Sequence, residues 1–483
     1  MSDQDSTPGQ TRREFVQTGG KLAATTLLPA IATAQRNNAA RRPNIIVMLG
    51  EGQRADAMSL AGNRILQTPN HDRIGREGVY FRNAFVTNAL CAPARAVIMT
   101  GMHSHSTGAL GNDTKAPLTT PFFTDLLQEA GYEIALFGKA HIGNGARDRR
   151  WDYYLGYNAP GTNYYHPVMW EGTSGNITGP NTYSGYVDDF VTDRALAWLK
   201  EKREKPFCLL LWWTTPHAPF YRARRHLDLY NGVSIPKPDT FDDDFKGYPG
   251  KPRAFANADN KIGTTILGND DPRSLEELVK DYYAGLVAVD ENVGRVLDYL
   301  SQSGQLDDTV ILNTSDHGFF LGEWRMYDKR FMHEPSIRVP MTIRYPKLFP
   351  AGRTVDEMAL EMDIAPTVLE LAGVDIPARM QGRSLVKLAK GEPTAWRKEW
   401  LYEYYEYPAS QKVRPHRGVR TDRYKFIHYY SEQPEEFEVY DLKSDPGERN
   451  NLYGKPEHED LTRMLKTKLT ELRRQTDDPS LKS

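Results

Sequence analysis

Three side chains in two distant parts of the sequence have the chemistry to hold a metal ion together. Glu51 stands between two glycines, and Asp316 and His317 are neighbours much further along the chain. Carboxylate oxygens favour Ca²⁺ or Mg²⁺, whereas an imidazole nitrogen shifts the preference towards transition metals. These residue types therefore predict a cation site without fixing its metal.

Basic residues and histidines accompany these candidate ligands. Arg95, Lys139 and Lys329 suit a tetrahedral oxyanion, because charged donors make the strongest hydrogen bonds to such groups. His141 and His217 can transfer protons near neutral pH. Basic residues that can bind an anion, a metal site and two proton carriers together predict the transfer of a phosphoryl or a sulfuryl group. These residues do not distinguish the two reactions.

Most of these side chains follow the ends of predicted strands. Four short apolar runs have the composition of buried strands in a parallel sheet; they are Asn44–Leu49, Glu133–Phe137, Phe207–Thr214 and Thr309–Asn313. In open parallel sheets, ligands bind beyond the carboxyl ends of the strands. A lone histidine or lysine at a strand end is more often structural, but four such ends predict a polar catalytic site at one edge of the sheet.

The segment Cys91–Gly101 bears on the choice between the two transfer reactions. It reads Cys-Ala-Pro-Ala-Arg-Ala-Val-Ile-Met-Thr-Gly, and Pro93 suits the first turn of a helix. Cys91 would then lie at the helix N-terminus, where the helix dipole and free N–H groups favour an anion. The segment resembles the signature of the formylglycine-dependent (type I) sulfatases, C-x-P-x-R followed by Thr-Gly. The alternative is a small, buried, apolar cysteine.

The resemblance to this family extends over most of the chain after residue 41. Segments similar to its other elements are Arg42–Leu49, Thr68–Arg73, Phe137–His141, Ser315–Glu323 with Lys329, and Tyr440–Leu452. The resemblance implies that a formylglycine-generating enzyme, or another sulfatase-maturing enzyme, oxidises Cys91 to formylglycine. It also implies a bound cation, Ca²⁺ in preference to Mg²⁺, with Glu51, Cys91 in its modified form, Asp316 and His317 as ligands.

The resemblance further implies a mechanism. The aldehyde at position 91 would hydrate to a geminal diol, which Arg95 orients, and one hydroxyl would attack sulfur in line. Lys139 and Lys329 would neutralise the sulfate oxygens together with the metal, while His217 protonates the leaving alcohol. Deprotonation of the second hydroxyl, by His141, would then expel sulfate and restore the aldehyde.

One position departs from the family pattern. The family usually has two adjacent aspartates after the first strand, and here Glu51 replaces the first and Gly52 the second. One metal carboxylate is therefore missing, which predicts fewer protein ligands, a water in the gap or weaker metal binding. Two alternatives to an active sulfatase stay open: a phosphate or phosphonate ester hydrolase of the same superfamily, and a degenerate sulfoglycan-binding protein without turnover.

Two regions bear on the substrate, which we expect to be a sulfated sugar or glycan. The segments Tyr404–Pro408 and His416–Lys425 resemble the corresponding segments of bacterial sulfatases that act on N-acetylglucosamine 6-sulfate in mucins or glycosaminoglycans. This likeness implies sugar contacts for His416 and Arg417. A group of aromatic residues suits either stacking on sugar rings or ordinary packing; its members are Trp151, Tyr153, Tyr154, Tyr157, Tyr164 and Tyr165.

Alternation of strand-like and helix-like patterns predicts an α/β fold. Residues 42–390 are predicted to form the catalytic domain, a large, mostly parallel sheet covered by helices on both faces, which by resemblance is alkaline-phosphatase-like. Residues 391–483 are predicted to form a smaller α+β subdomain with an antiparallel sheet and a closing helix. Two long loops are predicted, over 143–185 and 232–273, either as substrate-side insertions or as plain surface loops.

Residues 1–36 are predicted to be an export signal of the twin-arginine type. Thr11–Val16 carries the arginine pair, and the apolar run Leu22–Ala32 leads into an A-x-A cleavage pattern. That run is shorter than the roughly 20 residues that span a bilayer. We therefore expect a periplasmic or secreted protein without stable membrane insertion; the alternative is an anchored or disordered leader.

Composition narrows the remaining possibilities. With 61 Lys and Arg against 63 Asp and Glu, the net charge of −2 gives no bias towards nucleic acid. Cys91 and Cys208 are the only cysteines, so a disulfide framework is excluded although a single bridge is not.

Overall fold

A ten-stranded sheet forms the centre of the computed structural model, which describes residues 42–113, 119–142, 146–243, 251–262, 274–409 and 411–481. Its strands, in spatial order, are β14 (Arg353–Val355), β2 (Val79–Phe81), β13 (Met341–Arg344), β9 (Thr309–Ser315), β1 (Asn44–Gly50), β8 (Phe207–Trp212), β4 (Glu133–Lys139), β5 (Tyr153–Tyr157), β6 (Val168–Thr173) and β7 (Asn176–Thr182). The five strands from β9 to β5 are all parallel. Antiparallel pairs lie outside them, so the sheet is parallel at its centre and mixed towards its edges.

Helices cover both faces of this sheet, as the buried central strands require. The helices in the described ranges are α1 (Pro69–Arg76), α2 (Cys91–Thr100), α3 (Ser104–Thr107), α4 (Phe123–Glu129), α5 (Val187–Leu199), α6 (Arg253–Ala256), α7 (Leu275–Gln302), α8 (Glu334–Ile337), α9 (Ile364–Leu371), α10 (Val386–Lys390) and α11 (Glu459–Gln475). Side chains alternate between the faces of a strand, and Val47 of β1 packs in one core with α2, α4 and α9. Its neighbours Ile46 and Met48 pack in a second core with α5 and α7. Two apolar faces and two helical layers confirm the predicted α/β class.

A separate antiparallel sheet follows near the C-terminus. Its strands are β16 (Glu399–Tyr404), β17 (His416–Thr421), β18 (Tyr424–Tyr429) and β19 (Glu436–Asp441). Leu465 and Leu469 of α11 pack on one face of this sheet, while Tyr402 and Ile427 on the other face join the core that contains α2. The predicted small sheet with a closing helix is thus present, and the described residues from Pro43 onward belong to one compact unit.

Short strands connect the larger elements near the carboxyl edge of the main sheet. β3 (Ala84–Phe85) pairs with β12 (Arg338–Val339) and β15 (Ala359–Leu360), and β10 (Phe320–Leu321) pairs with β11 (Tyr327–Asp328). No helix in the described ranges has the length and apolar composition to cross a membrane. The predicted export signal, residues 1–36, lies outside the described residues.

The prediction of a long loop over 143–185 is wrong for much of that stretch. β5, β6 and β7 lie within it and extend the sheet. The pattern was hidden because β7 is largely exposed on both sides, so it lacks the apolar alternation that marks a half-buried strand. Four aromatic side chains of the stretch 143–185 are buried and serve packing rather than sugar stacking; they are Trp151, Tyr154, Tyr157 and Tyr164. The described parts of 232–273 contain α6 and are otherwise mainly irregular.

Candidate active site

The helix that begins at Cys91 carries the candidate nucleophile. Leu90 is extended, so Cys91 occupies the first position of α2, as predicted. Pro93 falls in the first turn, where backbone N–H groups have no partner within the helix. All ten residues of α2 are buried, and this packing holds the Cys91 side chain in one place.

The side chains predicted as metal ligands meet at this helix start. Glu51 follows β1, and Asp316 and His317 follow β9, which is the parallel neighbour of β1. One ligand atom from each of Glu51, Cys91, Asp316 and His317 lies within 4.8 Å of the others. The Sγ atom of Cys91 lies 3.2 Å from Oε1 of Glu51 and 3.4 Å from Nε2 of His317. Two buried carboxylates with an imidazole suit a divalent cation.

The hydrogen bonds of His317 orient it for metal binding. Its Nδ1 donates to the backbone carbonyl of Gly318 over 2.8 Å, so the lone pair of Nε2 is available to a cation. Nε2 lies 3.4 Å from Oε1 of Glu51 and 3.4 Å from Oδ1 of Asp316. Burial disfavours the charged ring, but Asp316 and Cys91 together outweigh it and raise the pKa of His317 to about 9. The carboxylates therefore attract a cation here, either a proton or a metal ion.

Two buried cations hold the far side of the carboxylates. Nζ of Lys139 and Nη2 of Arg95 lie 2.7 Å and 2.8 Å from Oε2 of Glu51. Nε of Arg95 also lies 2.9 Å from Oδ2 of Asp316. Burial alone would raise the pKa of Glu51, but the neighbouring cations, Lys139 foremost, keep it well below its ordinary value. Oε2 is thus neutralised by cations while Oε1 lies towards Cys91.

Lys329 adds a further charge at the same point. Its Nζ lies 3.6 Å from Oε1 of Glu51 and 3.4 Å from Oδ1 of Asp328. Burial would lower the pKa of Lys329, but the charges of Asp328, Cys91 and Glu51 raise it well above its ordinary value. Burial and Glu51 would raise the pKa of the Cys91 thiol, yet Lys139 and Lys329 outweigh them and lower it. Position 91 therefore lies in a field that favours negative charge.

The two predicted proton carriers differ in their surroundings. His141 is buried and has a left-handed backbone with φ of 40°, a strained conformation that concentrates at functional sites. Burial lowers the pKa of His141 to about 4, despite its contact with Cys91. His217 is 12% exposed, and its Nε2 lies 3.9 Å from Oε1 of Glu51. His141 is therefore a neutral imidazole in contact with Cys91, and Nε2 of His217 faces the site.

A pocket of about 350 Å³ opens in front of these groups, and its lining includes Glu51, His217, His317 and Lys329. Four other polar residues of its wall were not predicted, namely Asn112, Asp113, Asp328 and Arg330, whereas Glu406 belongs to the predicted substrate segment Tyr404–Pro408. The sequence feature that could have indicated Asp328 and Arg330 is their position on either side of Lys329. A concave site of this size with convergent polar groups suits a small ligand.

The sugar contacts predicted for His416 and Arg417 are not found at this pocket. His416 is fully buried, and its ring packs at centroid distances of 5.0–5.4 Å against Tyr402, Tyr404 and Tyr429. Burial lowers the pKa of His416 to about 4, so the ring is a neutral part of the core. Arg417 lies over the ring of Tyr430 at 3.9 Å. His416 points into the core because side chains alternate between the two faces of β17.

Comparison with known proteins decides the family. A family model described as Sulfatase matches residues 43–374. The chain belongs to the sulfatase family. A second model, described as N-sulphoglucosamine sulphohydrolase, C-terminal, matches residues 322–475. The predicted family is confirmed, and this sulfatase is a sulfuric ester hydrolase.

Individual relatives agree with this assignment. The sulfatase is 36% identical to an N-acetylglucosamine-6-O-sulfatase of Bacteroides thetaiotaomicron over 497 aligned residues, covering 91% of this chain and 87% of the relative. A solved structure of a protein with its substrate D-glucosamine-2-N,6-O-disulfate is 35% identical, with a TM-score of 0.83 over 91% of this chain and 99% of that one. The phosphonate monoester hydrolase of Agrobacterium radiobacter shares the fold, with 22% identity and a TM-score of 0.75 over 90% and 96% of the two chains. The predicted alkaline-phosphatase-like fold is therefore confirmed.

Proposed function

We propose that this sulfatase removes sulfate from a carbohydrate of the N-acetylglucosamine 6-sulfate class, as found in mucins or glycosaminoglycans. One observation carries the proposal: a single pocket of about 350 Å³ joins Glu51, His317 and Lys329 to the hydrogen-bonding side chains of Arg330 and Glu406. The cationic end suits the sulfate, and the polar wall suits sugar hydroxyls. The names of the Bacteroides relative and of the substrate in the similar solved structure support the same class.

The proposal includes two groups that complete the site. Oxidation of Cys91 to formylglycine by a maturing enzyme supplies, after hydration, an oxygen nucleophile and a second hydroxyl for release of sulfate. A bound cation, Ca²⁺ in preference to Mg²⁺, would be held by Glu51, Asp316, His317 and the modified residue 91 and would polarise that nucleophile. Ca²⁺ accepts irregular sets of oxygen ligands, whereas Mg²⁺ demands near-octahedral geometry. The position of His317 Nε2 beside both carboxylates and the clustering of these donors within 4.8 Å support the ligand set.

Side chains of this chain carry the remaining steps. Lys329, which lines the pocket, neutralises the sulfate oxygens as charge develops on them, and Lys139 acts through Oε2 of Glu51, to which its Nζ is bonded. When the bond between sulfur and the ester oxygen breaks, the imidazolium form of His217, which carries a proton on both ring nitrogens, donates the proton of Nε2 to the leaving alkoxide. His141, neutral because burial lowers its pKa to about 4, takes the proton of the second hydroxyl, so that sulfate leaves and the aldehyde returns. One water is consumed for each ester cleaved.

The experiment that tests this function has two parts. Intact mass and peptide mapping of the purified protein determine whether Cys91 has become formylglycine. A panel of defined sulfated sugars, with sulfate at one known position each, is then assayed for release of inorganic sulfate. We expect turnover of N-acetylglucosamine 6-sulfate above its 3- and 4-sulfated isomers; no turnover of any sulfated sugar by formylglycine-containing protein would overturn the proposal.

The phosphate or phosphonate ester alternative is an outcome of the same assay. The shared fold of a phosphonate monoester hydrolase motivates its inclusion, because cations and a metal also suit a phosphoryl group. Matched aryl sulfate, phosphate and phosphonate esters separate the two chemistries. A higher kcat/KM for a phosphorus ester than for every sulfate ester would replace the proposed substrate.

We also propose that the sulfatase is exported to the periplasm or secreted by the twin-arginine route. Arg12 and Arg13 within Thr11–Val16, and the A-x-A pattern after the apolar run, support this. Fractionation of cells that express the full chain gives the test. The double substitution Arg12→Lys with Arg13→Lys should retain the protein in the cytoplasm, and unchanged export would contradict the route.

A further inference from the structure

The segment that carries His217 crosses the carboxyl edge of the sheet directly after β8. His217 N donates to the carbonyl of Thr214 over 3.0 Å. Its ring Nδ1 donates to the carbonyl of Ala218 over 2.8 Å. The second bond fixes the tautomer and leaves Nε2 as the nitrogen that faces the pocket. The direction of Nε2 therefore depends on how the backbone of this segment is held.

A buried carboxylate holds that backbone from below. Asp188, in the first turn of α5, is fully buried. Its Oδ1 accepts from the N–H of Thr214 over 2.8 Å, and its Oδ2 accepts from the N–H of Thr215 over 3.0 Å. Two successive N–H groups bonded to one rigid carboxylate allow the segment little freedom. Burial raises the pKa of Asp188 to about 6, so the carboxylate is ionised at neutral pH. Its position in the first turn of a helix favours this negative charge.

Tyrosine hydroxyls hold the same segment at three other points. Tyr157 lies 2.7 Å from Oγ1 of Thr214, and Tyr164 donates to the carbonyl of His217 itself. Tyr186 donates to the carbonyl of Tyr221 over 3.0 Å. These tyrosines come from the end of β5, from the connection between β5 and β6, and from the residue before α5. Tyr157 and Tyr164 belong to the aromatic group considered for sugar stacking, and their hydroxyls instead anchor the His217 segment.

The opposite side of the segment is closed by α7. A Cβ atom added at Gly285 would lie 2.6 Å from Cγ2 of Thr215 and 3.2 Å from Cβ of Pro216. The absence of a side chain at Gly285 lets the helix approach the segment closely. His217 is therefore mounted on backbone that is bonded on one side and packed on the other.

We propose that Asp188 and Tyr164 are positioning residues for the proton transfer by His217. Neither needs to touch the substrate; each fixes the backbone from which the ring projects. This inference rests on the proposed role of His217 as the acid that protonates the leaving alcohol. A misplacement of about 1 Å can cost around a hundredfold in rate, so loss of one anchor should impair proton transfer before it impairs binding.

Leaving-group dependence separates this role from a general structural one. A sugar alkoxide needs a proton as it leaves, whereas 4-nitrophenolate leaves without one. Asp188→Asn and Tyr164→Phe should lower kcat for N-acetylglucosamine 6-sulfate by roughly tenfold to a hundredfold, part of the ~10²–10⁴-fold that a positioned general acid contributes. The same variants should keep kcat for 4-nitrophenyl sulfate near the wild-type value. An equal loss on both substrates, or no loss on either, would overturn the inference.

A matched control lies next to Asp188 in the same helical turn. Asp189 bonds to Arg225 and Asn292 instead of the His217 segment, so Asp189→Asn should leave the ratio of the two rates unchanged. His217→Ala is the reference for complete loss of the acid. If His217→Ala slows both substrates alike, the proposed role of His217 fails; if it is selective while the two anchor variants are not, only the positioning inference fails.

A spectroscopic readout tests the same inference without turnover. In protein with ¹⁵N-labelled histidine rings, His217→Ala assigns the resonances of His217. The wild type and Asp189→Asn should show a protonated Nδ1, as the bond to Ala218 requires. Asp188→Asn and Tyr164→Phe should show exchange between tautomers, and an unchanged Nδ1 signal in both would contradict the inference. Tyr164→Phe removes a single hydroxyl and keeps the test decisive if Asp188→Asn does not fold.

Discussion

The backbone N–H of Gly52 donates a hydrogen bond to Oδ1 of Asp316 over 3.0 Å. Gly52 stands where the family usually has its second aspartate, and its φ of +65° lies in the left-handed region that favours glycine. A Cβ atom at this position would lie 3.1 Å from Cε1 of His317. The loop therefore orients one predicted metal ligand, Asp316, through its backbone and leaves no free space beside another, His317.

Gly52→Asp should accordingly weaken metal binding instead of restoring a ligand. The left-handed backbone costs a non-glycine residue about 1–2 kcal/mol, and the new Cβ must displace His317. Calcium titration by calorimetry, with Tm measured on the metal-free protein, checks both effects. Tighter calcium binding with an unchanged Tm would show that Gly52 only leaves a gap.

Two control variants separate the causes of that effect. Gly52→Ala adds the same Cβ without a charge, so it should also lower the Tm. Gly108→Ala tests backbone strain alone, because Gly108 has a φ of +77° and no heavy atom within 4 Å of its added Cβ. If Gly52→Ala and Gly108→Ala lower the Tm equally, crowding against His317 contributes nothing.

Cys91→Ala should abolish turnover and preserve the fold. Residue 91 supplies the nucleophile, and each tenfold loss of rate corresponds to about 1.4 kcal/mol of barrier. Cys208→Ala is the matched control, since Cys208 is equally buried but lies on β8 away from the ligand group. Sulfate release and Tm are measured on both, and near-normal turnover by Cys91→Ala would sink the mechanism.

Activity should depend on a divalent cation. Exhaustive chelation should remove turnover, and added Ca²⁺ should restore it more fully than Mg²⁺. Asp316→Asn should lower the metal content found by elemental analysis, because it removes a carboxylate from the group around Cys91. Asp363→Asn, which affects a buried carboxylate paired with Arg397, should not. Full activity in protein shown to contain no metal would refute this prediction.

A histidine pair at the C-terminal end of α11 should make stability depend on pH. His105 bonds through Nδ1 to Glu403 and through Nε2 to the carbonyl of Thr476 over 2.8 Å. Burial would lower the pKa of His105, but Glu403 and Thr476 outweigh it and raise the pKa above its ordinary 6.5. The stabilisation is therefore complete below pH 6.5 and disappears as the pH rises through the raised value. His103, stacked on His105, stays neutral because burial lowers its pKa to about 4.

His105→Gln should thus reduce the Tm more at pH 6 than at pH 9. A charged hydrogen bond of this kind contributes about 1.5–3 kcal/mol. Glu403 limits the stabilisation at low pH. Burial would raise the pKa of Glu403, but His105 outweighs it and lowers the pKa below the ordinary 4.5. The contribution of Glu403 to stability is therefore lost as the pH falls through that lowered value. His166→Gln, at an exposed histidine, is the control. An equal loss of Tm at both pH values would contradict the charged state of His105.

Sequence patterns located the central strands because those strands are buried on both faces. β1, β4, β8 and β9 appear as unbroken apolar runs, and their ends carry the site residues that the structure brings together. The strands at one edge, β6 and β7, escaped prediction because they are partly or largely exposed. β5 is buried, but it lies in a stretch whose glycine, asparagine, proline and tyrosine residues favoured a loop. Burial produces the pattern, so elements with little burial leave little trace.

Local sequence specified the chemistry available at Cys91, because the helix start from Cys91 to Arg95 is set by neighbouring residues. It also placed particular acids and histidines after the central strands. That His416 is a core residue and that Asp188 holds the segment of His217 became apparent only in the folded chain. Those contacts join residues far apart in the chain, and no local pattern encodes the distance between them.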